Sequence, residues 1–254
     1  MRELAFCLGN SRSALVWHAR KMTMEELWEK LQSPIRTAET SAQYHAMKKR
    51  EKDAVKDKGG FLPGTLKGTR RKATEVISRS MIALDYDRLE QGCFDDFAFK
   101  HCTIVYTTHS HTPEAPRARI LMPLTRDVTP DEYNAIARYL ADEIGMDTVD
   151  LCSFKVNQLM YWPTCSSDGE YICRRYEDDW LDPDAFLASH PDWQDCSSLP
   201  TAPREKEAVA RERKKQADPM EKEGMVGTFC RAYSIQEAMQ TFLADVYAPT
   251  TDEN

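Results

Sequence analysis

The segment that most constrains the fold is SMIALDYD, residues 80–87. Its side chains alternate with the period of two that is typical of a β-strand. One face carries the larger apolar side chains, Ile82, Leu84 and Tyr86. Asp85 and Asp87 project from the opposite face together with Ala83, because residues two apart on a strand share a face. The chain must therefore build a sheet in which one strand ends in two neighbouring carboxylates.

Other segments predict the elements around this strand. Further strands are predicted for LAFCL (4–8), CTIVYTTH (102–109), RARILMPL (117–124), QLMYWP (158–163) and EYICRRY (170–176). Helices are predicted over 23–31, where Thr23 and Glu26 form a capping box, and over 37–57 and 129–145. Gly-rich turns are predicted over 59–68. The clearest helix starts with the capping box Thr129/Glu132 and ends at Gly145. Strands and helices mix without regular βαβ repetition, so the sequence predicts an α+β fold.

The pattern changes near residue 199. Residues 199–224 contain Pro and dense charge of both signs, which predicts a linker or an exposed helix. Residues 225–254 predict a short helical piece with a capping box formed by Ser234 and Glu237. We expect a main domain over 1–198, followed by a charged linker and the start of a helical region.

Composition excludes several classes of protein. The chain is 41% hydrophobic and 30% charged, and no apolar run is long enough to cross a bilayer. The N-terminus does not resemble a secretory signal, since Gly9, Asn10, Ser11 and Arg12 interrupt its apolar stretch. We therefore expect a cytoplasmic protein. The eight cysteines form no C-x-x-C pair, which argues against a disulfide framework and against a zinc knuckle.

The net charge is −7, but the basic residues are unevenly distributed along the chain. The run 48–58 alternates Lys and Arg with acids, and we interpret it as a solvated helix face. The segment GTLKGTRRKA (64–73) combines two glycines with four bases, a composition that suits phosphate binding. We predict that this segment contacts nucleic acid through its four bases, Lys67, Arg70, Arg71 and Lys72.

Asp85 and Asp87 are candidate metal ligands. Two carboxylates this close repel each other unless a cation lies between them, and hard cations such as Mg²⁺ or Mn²⁺ prefer carboxylate oxygens. The neighbouring segments add groups that suit a triphosphate. If residues 107–111 stay extended, Thr107, His109 and His111 share one parity, and Arg117 and Arg119 share a face of the next strand. A third carboxylate comes from Asp147 or Asp150. Together these residues predict a two-metal, triphosphate-binding set.

The order of three motifs resembles a known family. IALDYD, YTTHSHTPEAPRARILMPL and VDLCSFKVNQLMYWP follow one another as in the archaeo-eukaryotic primase superfamily. More closely, residues 1 to about 200 resemble the primase module of phage and mobile-element primase–helicases of the virulence-associated E type. The resemblance implies an RRM-like antiparallel or mixed sheet flanked by helices. It also implies a primase or primase–polymerase that copies single-stranded DNA from NTPs or dNTPs and works with a superfamily-3-type helicase, fused or separate.

The resemblance also implies roles for individual residues. Asp85, Asp87 and Asp150 would bind catalytic Mg²⁺ or Mn²⁺. Thr107 and His109, with His111 as a close alternative, would contact the incoming nucleotide. Arg119, together with Arg117, would hold its phosphates. Gln158 stands where the resemblance leads us to expect an arginine.

Two other functions are compatible with parts of the sequence. The H-x-H of THSHT could belong to a rolling-circle initiator nuclease, with Tyr133 or Tyr139 as its nucleophile. Apolar residues normally flank those histidines, whereas here their neighbours are Thr and Ser, so we rank this function lower. The third possibility is a non-catalytic DNA-binding or helicase-loading module.

Overall fold

The computed structural model describes residues 2–207 and 224–244. The chain divides into two compact units, Met1–Ala202 and Pro203–Asn254. No helix in the described ranges is both long enough and apolar enough to span a membrane. Most of the predicted linker lies outside the described residues.

The first unit contains these strands: β1 (Leu4–Gly9), β2 (His18–Met22), β3 (Ile35–Arg36), β4 (Gly60–Leu66), β5 (Val76–Tyr86), β6 (Thr103–Thr107), β7 (Ala118–Val128), β8 (Met160–Tyr161), β9 (Thr164–Cys165) and β10 (Cys173–Tyr176). Its α-helices are α1 (Met24–Gln32), α2 (Ser41–Ala46), α3 (Lys49–Lys56), α4 (Cys93–Asp96), α5 (Pro130–Ile144) and α6 (Pro183–Ala188). Short 3₁₀ helices occur at Ala73–Glu75 and Leu151–Phe154.

An antiparallel sheet organises this unit. Seven strands follow the order β10-β6-β7-β5-β4-β1-β2, and β8 pairs with β4 as the eighth. A separate parallel pair joins β3 to β9. With helices packed on the sheet, the structure confirms the predicted α+β class. The central strand β5 has β7 and β4 as its neighbours, so the two aspartates near its end lie in the middle of the sheet rather than at an edge.

Both faces of the central strands are buried. One face of β5, with Ile82, Leu84 and Tyr86, packs in a core that includes Tyr133 and Ile136 of α5. The opposite face, which carries Ala83, packs in a second core with side chains from β1 and α1. Asp85 continues the Ala83 face, so its carboxylate emerges directly from a covered apolar layer.

The capping signals in the sequence are confirmed. Thr23 with Glu26 caps α1, and Thr129 with Glu132 caps α5, where each pair forms a complete capping box. The second unit contains α7 (Gly224–Ala232) and α8 (Ile235–Phe242). Ser234 and Glu237 cap α8 as predicted.

Two predicted elements are wrong, and some strands are missing from the prediction. Residues 59–68, predicted as Gly-rich turns, contain β4 instead, which pairs with β1, β5 and β8. Residues 37–57, predicted as one helix, contain α2 and α3, because Met47 adopts an extended backbone between them. The edge strand β2 was not predicted, since its sequence HARKM is mostly exposed and shows no apolar alternation.

Candidate active site

A cavity of about 320 Å³ lies where the end of β5 meets the start of β7 and the loop after β6. Its walls combine three carboxylates with several cationic groups. The lining residues are Lys49, Lys56, Asp85, Asp87, Thr108, His109, Ser110, Arg117, Arg119, Asp150, Gln158, Tyr161 and Thr164. The cavity therefore collects six of the eight predicted metal- and nucleotide-binding residues from segments that are far apart in the sequence, and none of the four predicted DNA-binding bases.

Strand register places Asp85 opposite Arg119. The two residues are direct partners in the antiparallel pairing of β5 with β7. Arg119 Nε donates to Asp85 Oδ2 at 3.1 Å, and both side chains are largely buried, with exposed fractions of 8% for Arg119 and 15% for Asp85. The backbone of Asp85 is also fixed, because its N–H donates to Ser153 Oγ and its carbonyl accepts from the Asp150 N–H. These bonds bring Asp150 beside Asp85.

The second carboxylate oxygen of Asp85 is buried and has no hydrogen-bond partner. Burial raises the pKa of Asp85, the negative charges of Asp87 and Asp150 raise it further, and Arg119 only partly offsets this effect. A buried carboxylate oxygen without a donor is costly, so a native protein rarely leaves one without a purpose. This oxygen is therefore a candidate ligand position.

Asp87 and Asp150 reach the cavity from two different segments. Arg117 Nη1 donates to Asp87 Oδ1 at 3.0 Å, and both side chains are about two-fifths exposed. Asp150 caps the short 3₁₀ helix Leu151–Phe154, where one of its oxygens accepts from the Cys152 N–H. Asp150 lines the cavity and Asp147 is absent from the lining, so the structure favours Asp150 as the third carboxylate.

The carboxylates suit a divalent ion by their chemistry. Within the described residues, no group of three or more His, Cys, Asp or Glu side chains is arranged as a ready metal centre. Two of the three carboxylates form ion pairs with arginines. The unpartnered oxygen of Asp85, with Asp87 and Asp150 close enough to raise its pKa, still fits the oxygen donor set that Mg²⁺ and Mn²⁺ prefer.

His109 lies in the cavity wall with both ring nitrogens engaged. Nδ1 is 2.8 Å from Thr164 Oγ1, and Nε2 is 3.0 Å from Glu39 Oε1. Burial lowers the pKa of His109, and the nearby Glu39 carboxylate offsets this only in part. The ring also packs against that of Tyr44, with a centroid distance of 4.2 Å. His109 is therefore held rigidly, with Glu39 as its carboxylate partner.

Thr107 and His111 lie outside the cavity lining. Thr107 is the last residue of β6, and its hydroxyl bonds with the backbone of Ile172. His111 packs against Phe94 and lies 3.4 Å from the Glu170 carboxylate. The assumption that residues 107–111 stay extended was wrong, because the His111 N–H donates to the Thr108 carbonyl in a turn. Thr108 and Ser110 line the cavity in place of Thr107 and His111.

Several cavity residues were not identified from the sequence. Lys49 and Lys56 of α3 line the cavity, although we had interpreted their segment as a solvated face. Their spacing of seven residues, which places them on one helix face, was the available signal. Tyr161, which lines the cavity, carried no pattern that pointed to the site, and neither did Glu39, which lies outside the lining and contacts His109.

The basic segment 64–73 lies away from the cavity lining. Arg71 has a structural role, because it donates to the carbonyls of Asn157 and Arg12 and its guanidinium lies 4.8 Å from the centre of the Trp17 ring. Three other bases of the segment, Lys67, Arg70 and Lys72, are exposed. Three basic side chains of the segment are therefore exposed to solvent, and the fourth, Arg71, holds the segment against residues 12 and 157.

The tyrosines proposed as nuclease nucleophiles are poorly placed for that role. Tyr133 is fully buried, and its hydroxyl bonds with the carbonyls of Ala83 and Ser153. The Tyr139 ring packs against Phe186 and His190. Neither tyrosine lines the cavity that contains His109. The geometry therefore gives no support to a rolling-circle nuclease.

Comparison with known proteins identifies the family. The family model described as "VapE N-terminal domain" matches residues 1–202. This chain belongs to the VapE N-terminal domain family. The membership confirms the resemblance to the virulence-associated E type, and the matched range coincides with the first compact unit of this VapE-type chain.

The VapE-type chain also resembles one solved structure. Among solved structures, it is similar to the AEP domain of the cyanophage S-2L primase-polymerase, with 11% sequence identity and a TM-score of 0.39. That similarity covers 73% of this chain and 88% of the cyanophage chain. The search of curated proteins found no match.

Proposed function

We propose that the protein is a metal-dependent nucleotidyltransferase that acts as a DNA primase or primase–polymerase. Its substrates would be NTPs or dNTPs and a single-stranded DNA template, with Mg²⁺ or Mn²⁺ as the cofactor. Membership of the VapE N-terminal domain family supports this class of function. The resemblance seen in the sequence further leads us to propose a superfamily-3-type helicase as a partner, fused or separate.

One observation carries the proposal. The buried, unpartnered oxygen of Asp85 lies in the same cavity as Asp87, Asp150 and two arginines. A site meant only for fold stability would satisfy that oxygen or replace the carboxylate by an apolar group. An oxygen left open beside two further carboxylates and several phosphate-binding cations is the arrangement expected for metal-assisted phosphoryl chemistry.

The carboxylates and the arginines of the cavity would have different roles. Asp85, Asp87 and Asp150 would hold the divalent ions, which when bound activate the attacking hydroxyl and neutralise developing negative charge. Arg119 and Arg117 would bind phosphate oxygens, for which the planar guanidinium provides paired donors.

Contacts with Asp85 and Tyr106 prepare Arg119 for this task. Although burial by itself lowers its pKa, the charge of Asp85 and contact with Tyr106 raise it overall, so the guanidinium stays protonated. The side chain is already fixed by Asp85 and lies near the rings of Tyr106 and Tyr161, so it loses little conformational entropy when it binds a phosphate.

The DNA template would contact basic side chains outside the cavity. We propose Lys67, Arg70 and Lys72 as contacts to the DNA backbone, because these side chains are exposed on one loop. Arg71 would hold that loop in position through its bonds to Asn157 and Arg12 rather than bind phosphate.

A primer-synthesis assay tests the proposal. Purified protein is incubated with single-stranded DNA, Mn²⁺ or Mg²⁺ and labelled NTPs or dNTPs, and the products are resolved on a denaturing gel. We expect primer products from the wild-type protein and a loss of roughly 10²-fold or more in Asp85→Asn/Asp87→Asn. Asp147→Asn is the matched control, since this nearby acid is absent from the cavity lining.

Three outcomes contradict the proposal. The site assignment is wrong if Asp85→Asn/Asp87→Asn keeps wild-type synthesis. A covalent protein–DNA adduct in place of primers indicates a tyrosine nuclease. DNA binding without any product under all nucleotide and metal conditions indicates a non-catalytic loading module.

A further inference from the structure

Helix α3 presents two lysines to the cavity. Lys49 and Lys56 are its first and last residues, and both line the cavity. A separation of seven residues is about two helical turns, so the two side chains share one face of the helix, about 10 Å apart along its axis. This face adds positive charge from a segment distant in sequence from Arg117 and Arg119.

The acids of the same segment are engaged in anchoring the helix. Asp53 Oδ2 accepts from Arg12 Nη1 at 2.7 Å, and its other oxygen lies 3.0 Å from Lys56 Nζ. Asp57 accepts from the Ser11 hydroxyl and from the Arg12 N–H. These contacts fasten α3 to residues 11–12, so the alternating charge of the segment is not the pattern of a freely solvated face.

A second set of contacts holds the helices against the loop after β6. The Tyr44 hydroxyl of α2 lies 3.1 Å from Ser110 Oγ, and Ser110 belongs to the cavity lining. The ammonium of Lys56 lies 5.6 Å from the centre of the Tyr161 ring, which also lines the cavity. Tyr44 thus holds α2 against the loop after β6, and Lys56 holds the end of α3 beside Tyr161.

Lys49 differs from the two arginines in its pairing, whereas Lys56 forms an ion pair with Asp53. Arg119 and Arg117 each form an ion pair with a carboxylate of the site. Across residues 2–207 and 224–244, no carboxylate lies within ion-pairing distance of Lys49, whose side chain is exposed at the cavity. Lys49 is thus available to an anionic ligand without first giving up a protein partner.

We propose that α3 is a phosphate-binding wall of the cavity, in which Lys49 and Lys56 bind phosphate groups. This inference rests on the proposed function and extends it to a helix that neither the motifs nor the family membership assigns. The phosphates can come from two sources, the polyphosphate of the nucleotide or the backbone of the DNA strand. Lysine suits both, because a flexible ammonium acts as a point charge toward phosphate.

Two binding measurements test the wall and separate the sources. The first titrates Lys49→Gln, Lys56→Gln and the double variant with a non-hydrolysable dNTP analogue in Mg²⁺ by calorimetry. The second measures binding of a fluorescent single-stranded oligonucleotide across a series of salt concentrations. Arg50→Gln is the matched control, because Arg50 is an exposed base of the same helix and is absent from the cavity lining.

Each source predicts its own result. If the lysines bind the nucleotide, the double variant weakens analogue binding by about tenfold or more and leaves oligonucleotide binding within about twofold. If they bind the strand, oligonucleotide affinity falls and the slope of log K against log salt decreases by roughly 0.7 for each lysine removed. In both cases Lys49→Gln alone shows part of the effect without a change in thermal stability, since its side chain is exposed.

Other results overturn the wall. It is wrong if the double variant matches Arg50→Gln in both titrations, or if Arg50→Gln weakens binding equally, which would indicate a nonspecific charge effect. It is also wrong if the wild-type protein binds neither probe. If the lysine variants bind both probes and synthesise primers as well as the wild type does, the wall is wrong but the proposed function still stands. The two failures are therefore distinguishable.

Discussion

The hydroxyl of Tyr133 offers a test that distinguishes a primase, in which this group has a structural role, from a nuclease, in which it would be the nucleophile. It is fully buried in α5 and bonds with the carbonyls of Ala83 in β5 and Ser153 in the 3₁₀ helix Leu151–Phe154. Ser153 in turn accepts from the Asp85 N–H. Tyr133→Phe removes only this oxygen and leaves the ring in place, including its contact with the buried guanidinium of Arg79 at 4.0 Å.

The magnitude follows from the single hydroxyl proton that the two carbonyls share, because at least one buried acceptor loses its donor. Leaving a buried acceptor unsatisfied costs about 1–3 kcal/mol. For a unit of about 200 residues, each kcal/mol lowers Tm by roughly 2–4 °C, so we expect a decrease of about 2–12 °C. Tyr139→Phe is the control, because its ring contacts Phe186 and His190 and its hydroxyl has no such buried carbonyl pair among the described contacts. We expect Tyr139→Phe to change the free energy of unfolding by about 0.5 kcal/mol or less.

The assay combines thermal unfolding with primer synthesis below the lowered Tm. We expect Tyr133→Phe to be less stable than the wild type and to retain primer synthesis within a few-fold, because its hydroxyl does not reach the cavity. The reasoning is refuted if the variant keeps wild-type stability. It is also refuted if the folded variant loses activity while the wild type forms a covalent adduct with DNA, since Tyr133 would then be a nucleophile.

Three further predictions concern the fold and the site. Gly64→Ala should lower Tm by several degrees, because an added Cβ would lie 2.1 Å from the Ser78 carbonyl oxygen in the pairing of β4 with β5; an unchanged melting curve would contradict this close approach. Burial lowers the pKa of His109 and His111 in the folded protein, so the unfolded chain binds protons first as the pH drops. The free energy of unfolding should therefore fall below the ordinary histidine pKa of 6.5. Tm measured from pH 7.5 to pH 5 checks this, and His111→Gln should flatten the profile. Gln158→Arg should strengthen binding of a non-hydrolysable nucleotide by about tenfold, since Gln158 lines the cavity and an arginine there adds a phosphate donor; calorimetry showing weaker or equal binding would contradict it.

The sequence correctly predicted those elements of the fold that depend on interactions between neighbouring residues. The capping boxes of α1, α5 and α8 and the alternating pattern of β5 need only neighbouring residues, and all are confirmed. The strand β4 was missed because Gly60, Pro63 and Gly64 resemble turn residues. Pairing with three other strands overrides that local preference.

The site was predictable where strand parity applies and failed where the chain turns. Asp85 and Arg119 lie on known faces of adjacent strands, and their register brings the two side chains together. Beyond Thr107 the chain enters a turn, so parity no longer predicts which side chains reach the cavity. Glu39 and the lysines of α3 come from a segment far from the motifs, and only the tertiary packing places them beside the cavity.

The most direct test of the central claim is a crystal structure with Mn²⁺ and a non-hydrolysable nucleotide, with the ion located by its anomalous signal. We predict Mn²⁺ bound to Asp85, Asp87 and Asp150, and guanidinium contacts from Arg117 and Arg119 to the phosphates. An ion bound elsewhere, with the open oxygen of Asp85 still unpartnered and both arginine pairs intact, would contradict the account.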